Sequence, residues 1–356
     1  MSTPGVGARR AARTMPAEWA PHERTWMAWP SADYTLGDTP ESAEGARRAW
    51  AAVAVAVARF EPVTVLVDPA GVDDATRHLP ADVPLHVTPL DDAWIRDSGP
   101  TFVLGDDGRL GAVDWVFNGW GAQSWAAWDR DALVAGEVAR AAGAEVIASR
   151  MVNEGGGVHV DGEGTALVTR TVQLDEHRNP GWTVEDVEAE LRRTLGVERT
   201  IWLPRGLTRD YDEFGTRGHV DIVATFASPG TVLVHEQRDP AHPDHAVSIE
   251  ILDVLRSARD ARGRLLQVVP VPAPSVLHDE RGPVDHSYIN HLVVNGGVVL
   301  CTFDDPEADE RAAEIVRRAY PGRTVVGVDA RALFARGGGI HCITQQQPAS
   351  AAPAAG

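Results

Sequence analysis

Four stretches share one pattern: Gly99-Pro100-Thr101-Phe102-Val103-Leu104, Gly164-Thr165-Ala166-Leu167-Val168-Thr169, Gly230-Thr231-Val232-Leu233-Val234-His235 and Gly297-Val298-Val299-Leu300-Cys301-Thr302. Each sets a glycine before a short, β-rich apolar run, the signature of a buried strand entered through a turn. The glycines are separated by 65, 66 and 67 residues. So regular a period indicates one supersecondary unit repeated along the chain.

Each run follows a segment carrying chemically active side chains: Trp94 to Asp97, Glu154 to Asp161, His219 to Asp221 and Tyr288 to His291. Helical patterns come after, at Asp129 to Ala142, Thr183 to Leu195, His245 to Ala258 and Pro306 to Tyr320. A further strand closes each unit: Glu145 to Ala148, Arg199 to Leu203, Leu265 to Val269 and Arg323 to Val328. The unit reads strand, strand, helix, strand. Five such units of about 66 residues need roughly 330, which suits a chain of 356. The fifth is split: Ile340 to Ile343 is its expected site-bearing strand, and Thr25 to Pro30, helix Pro40 to Phe60 and strand Val63 to Val67 complete it. The expected fold is a closed α/β ring of five such repeats, with the chemically active segments at equivalent places in each. Pairing of the N-terminal strand beside the cysteine strand would close the ring and remove its open edges. One domain is expected over 15–348, with disordered tails at 1–14 and 349–356.

The net charge of −18 argues against nucleic acid and anionic membranes and favours attraction of cations. All 33 basic residues are arginine, which excludes a Schiff-base amine, a pyridoxal-phosphate anchor and a P-loop lysine. Two cysteines, Cys301 and Cys342, make neither a disulfide framework nor a four-cysteine zinc site, and fit a reducing cytoplasm. No segment has the ~18 uninterrupted apolar residues of a membrane span.

Cys342 lies in Gly337-Gly338-Gly339-Ile340-His341-Cys342-Ile343-Thr344, where glycines let backbone and ligand approach a thiol closely. A thiol nucleophile needs a histidine or acid to match its pKa, and Gly218-His219-Val220-Asp221 offers both. Further acids stand in Asp91-Asp92-Ala93-Trp94-Ile95-Arg96-Asp97 and Asn153-Glu154-Gly155-Gly156-Gly157-Val158-His159-Val160-Asp161. One soft nucleophile, one histidine and several carboxylates suit a cationic, electrophilic carbon. Cys301, inside an apolar run, reads as core. His159 reads as a packing or supporting residue, since no His-x-His or His-Glu-x-x-His spacing points to a metal.

Together with Met15-Pro16-Ala17-Glu18-Trp19, Phe117-Asn118-Gly119-Trp120-Gly121, Arg178-Asn179-Pro180 and Tyr288-Ile289-Asn290, these motifs resemble the agmatine deiminase family. That family belongs to the guanidine-modifying pentein superfamily, with its fivefold α/β propeller. The resemblance implies Cys342 as nucleophile, His219 as general acid and base, Asp97 and Asp221 as the guanidinium grip, Glu154 as supporting acid, and Trp94 and Trp120 as pocket walls. It also implies hydrolysis of agmatine to N-carbamoylputrescine and ammonia in the cytoplasm, through a covalent amidino-thioether. Neither a metal nor an organic cofactor is expected. The expected partner is a small cationic guanidine, with no nucleic acid and no membrane, and a homo-oligomer is allowed. The family usually has a glutamate four residues before the histidine and an acid or amide two before it. Here Gly215 and Arg217 stand there, so Arg217 is a candidate reader of an anionic substrate tail. The alternatives are deimination of another guanidine (free arginine, a guanidino acid or peptidyl-arginine), amidino transfer, or a non-catalytic binding protein.

Overall fold

The computed structural model of the chain describes residues 13–31 and 34–351. Its strands form five sheets of three or four strands and one two-stranded ribbon. In each of the five, an antiparallel pair, a hairpin in four of them, leads through a helix to a strand parallel to the pair's second arm. Thr101–Gly105 and Leu110–Val116 lead through Val134–Ala141 to Glu145–Val152. Val158–Val160 and Thr165–Thr169 lead through Val184–Leu195 to Arg199–Leu203. Ala224–Ser228 and Thr231–Glu236 lead through Asp244–Ser257 to Gln267–Pro272. Leu292–Val294 and Gly297–Thr302 lead through Pro306–Ala319 to Thr324–Asp329. The last sheet joins the chain's two ends: Thr344–Pro348 runs antiparallel to His22–Ala28, which leads through Pro40–Ala58 to Val63–Val67.

Local sequence explains the boundaries. Thr183 and Asp186 form a reciprocal capping box at the start of Val184–Leu195, and Gly196 ends that helix at φ 71°, a left-handed conformation that costs glycine little. Asp305 caps Pro306–Ala319 by accepting from Ala308 N. The second hairpin arm is central in every sheet and largely buried, hence its unbroken apolar runs such as Val298-Val299-Leu300.

Three expectations are corrected. The glycine-led run at Gly99 is the first arm of its hairpin, not the second, so its interval of 65 residues joins strands that are not equivalent. The equivalent turn glycines are Gly108, Gly164, Gly230 and Gly296, at φ 76°, 97°, 77° and 71°, because a tight hairpin needs a left-handed residue there. Ile340 to Ile343 is a turn rather than a strand; pairing begins at Thr344. Finally, order passes both ends of 15–348: Arg13–Thr14 pairs with Leu104 and Gly105, and Ala349 N and Ala351 N donate to backbone carbonyls of Pro21 and Gly108. The rest of the expected tails, 1–12 and 352–356, lies outside the described residues.

Among the described residues, no helix is long and apolar enough to cross a membrane. The site is positioned by what precedes each hairpin. Ile95–Ser98, Gly155–Gly157 and Val220–Ile222 are single turns of helix directly before a first arm, and Asn290 and Cys342 occupy the matching places in the other two units.

Candidate active site

Hydrogen bonds between these turns bring them together. Arg96 N donates to Cys342 O at 3.2 Å, Gly156 N to Asp97 Oδ1 at 3.4 Å, and Asn290 Nδ2 to Asp221 O at 3.3 Å. Cys342 Sγ lies 3.5 Å from Asp221 Oδ2 and accepts from Asn290 Nδ2 at 3.3 Å. His219 Nε2 lies 3.1 Å from Glu154 Oε2, and its Nδ1 is 3.7 Å from Asp97 Oδ1. Cys342, His219, Asp97, Asp221 and Glu154 are each at most 4% exposed.

Small residues make this crowding feasible. A Cβ on Gly156 would sit 2.5 Å from His219 Nδ1 and 3.1 Å from both Asp97 Oδ1 and Asp221 Oδ2. One on Gly338 would sit 2.9 Å from Cys342 Sγ and 2.8 Å from the Trp94 ring. The triglycines thus serve close packing of charged groups, as the sequence suggests.

Burying so many charges requires pairing. Arg178 Nε donates to both Glu154 oxygens at 3.0 Å, and its other nitrogens reach Asp175 Oδ2 at 3.0 Å and Thr216 O at 2.7 Å. Burial pushes Glu154 up, but the Arg178 charge and His219 outweigh it and bring the pKa down to about 2. Burial pulls His219 down, but Asp97 and then Glu154 lift it to about 9. Asp97, raised by burial against the pull of His219, comes to about 6. Burial and the charges of Asp221 and Asp97 hold the Cys342 thiol well above its ordinary value. At neutral pH the unliganded site is therefore a thiol beside an imidazolium and carboxylates.

Residues 14–348 match the Porphyromonas-type peptidyl-arginine deiminase family. The chain belongs to that family. A Streptomyces coelicolor protein, provisionally named an agmatine deiminase, is 62% identical over 94% of this chain and 98% of its own. The agmatine deiminase of Stutzerimonas stutzeri is 43% identical, covering 94% and 95%. The agmatine deiminase of Enterococcus faecalis superposes with a TM-score of 0.88 at 33% identity, over 95% of this chain and 96% of that one. The α/β fold is that of the penteins.

Within this family member, Trp94 and Trp120 both stand at the site. Trp120 Nε1 donates to Asp97 Oδ2 at 2.8 Å, holding a non-glycine residue at φ 57°, backbone strain of about 1–3 kcal/mol. Trp94 Nε1 donates to Asp92 Oδ2 at 3.1 Å, so Asp92 orients the Trp94 ring. Trp125 stacks on Trp120, and Phe214 meets Trp125 edge-on and stacks on Tyr34. Arg217 Nη1 lies 3.5 Å from Asp175 Oδ2, the carboxylate that also braces Arg178, so a carboxylate already faces the residue expected to read a substrate tail. His159 is a supporting residue, hydrogen-bonded to Thr225 Oγ1 at 2.7 Å. Cys301 is core, with burial raising its thiol to about 12.

Sequence reasoning missed four participants. Arg96, which in the sequence is only part of the Asp91 to Asp97 motif, is 1% exposed and donates through Nε to His341 O at 3.2 Å. Glu18 lies in the Met15 to Trp19 motif and His341 beside the nucleophile, yet no role is legible for either in the sequence. Asn290, in the Tyr288 to His291 segment that the repeat marked, touches the nucleophile itself.

Proposed function

We propose that this chain hydrolyses agmatine to N-carbamoylputrescine and ammonia, with Cys342 as nucleophile. The observation that carries the reading is a pair of buried polar atoms without a hydrogen-bond partner, Asp221 Oδ1 and His219 Nδ1, beside the thiol and Asp97, whose Oδ1 stands 3.7 Å from Nδ1. Leaving such groups unpaired is costly. A guanidinium held by Asp97 and Asp221 would satisfy Asp221 Oδ1, and its leaving nitrogen would meet His219 Nδ1. The agmatine deiminases of comparable sequence make agmatine the substrate of choice.

Entry of the cationic guanidinium offsets the two carboxylate charges that hold the Cys342 proton, so the thiol ionises on binding and its proton passes to solvent, where the released ammonia takes one up. Sγ then bonds to the guanidinium carbon. His219, charged at neutral pH, donates its proton to the departing nitrogen, and the C–N bond breaks to release ammonia. The neutral imidazole next takes a proton from water as its oxygen attacks the amidino-thioether. The new hydroxyl then gives up its proton as the C–S bond breaks, freeing the thiol and the neutral ureido product.

The three-strand core shared by the five sheets, and the pairing of Thr344–Pro348 with His22–Ala28, support a closed fivefold propeller and one domain over 15–348. A cytoplasmic enzyme acting on a small guanidine, without nucleic acid and without a required cofactor, fits the free thiols and the charge of −18; a homo-oligomer is compatible. The test is ammonia release with agmatine, arginine and 4-guanidinobutyrate, with product mass spectrometry and Cys342→Ala as control. Cys342-dependent preference for agmatine is expected. Preference for 4-guanidinobutyrate would overturn the substrate, and no turnover of any would overturn the reading.

A further inference from the structure

Beneath the nucleophile lies a buried chain of charges. His341 Nδ1 is 2.8 Å from Asp221 Oδ2, and His341 Nε2 is 2.8 Å from Glu18 Oε1. A neutral imidazole has one N–H and one lone pair, so it would press that lone pair against one of the two carboxylates. Only the imidazolium can donate to both. Asp221 Oδ2 is thereby occupied, and its other oxygen, Oδ1, is left without a partner.

We infer that Glu18 is a positioning residue of the deimination reaction: it holds His341 as an imidazolium, which fixes Asp221 with Oδ1 free for the guanidinium. This rests on the proposed role of Asp221. The groups facing His341 fit the assignment. Asp221 and Glu18 are the two acceptors; Arg96 Nη1 lies 3.9 Å from the same Glu18 Oε1, and His159 Nε2 lies 3.5 Å from it. The His159 ring stands 6.5 Å from that of His341, and burial first of all pulls His291 down to about 4, so His291 adds no cation. Cys342 is the next residue in the chain. Glu18 is thus the one carboxylate on the far side of the ring and the counterweight to Arg96. Its two imidazole contacts and its burial, 4% exposed, leave it no solvent role. Strand His22–Ala28 pairs with Thr344–Pro348, which explains how a residue near the start of the chain reaches the nucleophile near its end.

Without Glu18, His341 should lose its proton at lower pH, and Asp221 should then be held only by a neutral ring. Glu18→Gln is expected to lower kcat/KM for agmatine by about 10- to 100-fold near pH 8, the scale of one charge-assisted hydrogen bond. The loss should fall below about fivefold near pH 6, where the ring stays charged, and KM should carry most of it. Glu18→Asp should restore part of the activity. Independently of turnover, nitrogen-15 NMR of the wild type, with His341 assigned by its absence in His341→Asn, should find both ring nitrogens protonated near pH 8. A single protonated nitrogen overturns the inference even in a fully active enzyme. So does a Glu18→Gln profile parallel to wild type at all pH. If wild type proves inactive on every guanidine, the functional reading fails while the NMR result still decides the charge of His341. If Glu18→Gln does not fold, the NMR result and Glu18→Asp decide.

Discussion

Replacing Glu154 by glutamine should damage stability and catalysis by separable amounts. The carboxylate is fully buried and takes two bonds from Arg178 Nε at 3.0 Å while facing His219 Nε2 at 3.1 Å. An amide has one acceptor oxygen, so its NH2 must confront a donor and Arg178 loses its counter-charge. Breaking one side of a buried pair costs about 3–5 kcal/mol, readable in the urea midpoint. The catalytic effect runs through His219, held at about 9 rather than 6.5, despite burial, by Asp97 first and Glu154 next. That lift is the balance of several carboxylates against burial, and removing the Glu154 charge and hydrogen bond should lower the pKa by about one unit, the scale of one neighbouring charge. Because the folded pKa is raised, activity requiring the imidazolium falls as pH rises through about 9 in wild type. In Glu154→Gln the same limb should appear about one unit lower. Stability follows the same sign: the His219 contribution is complete below 6.5 and lost as pH rises through about 9. The Glu154 contribution is present above 4.5 and lost as pH falls through about 2, a loss the variant should lack. An unchanged alkaline limb in steady-state ammonia release would refute the coupling of Glu154 to His219, and an unchanged urea midpoint would refute the buried pairing.

Iodoacetamide should alkylate Cys342 slowly at neutral pH, and a non-reactive alkylguanidinium bound beside it should sharpen thiolate formation, seen as a rise in thiolate absorbance near 240 nm; a thiolate already complete without ligand would contradict the raised pKa. Gly156→Ala puts a methyl 2.5 Å from His219 Nδ1; kcat should fall by about 100-fold with the fold retained by circular dichroism, and full activity would show that the turn can yield. Arg217→Ala should leave kcat/KM for agmatine within about threefold, since Arg217 pairs with Asp175; a drop of a hundredfold would place it back at the substrate.

The repeat was legible because hairpin glycines and apolar second arms recur, and local physics alone demands both: a left-handed turn residue and a buried central strand. Thus Arg199–Leu203 and Val63–Val67 stand where the pattern puts them. The Gly99 interval misled for a physical reason, since a glycine can precede either arm and a single sequence does not say which arm is central. Cys342, His219, Asp97, Asp221 and Glu154 were legible as residue types able to grip and attack a guanidinium, in motifs matching a known family. Tertiary structure alone decided which charges offset which. Arg178 reaches Glu154, Arg217 turns to Asp175, Arg96 goes inside, and Glu18 meets His341 across almost the whole chain. Motifs carry local geometry, but the pairing of buried charges depends on which distant segments pack together and how completely they exclude water, and that is a property of the folded chain.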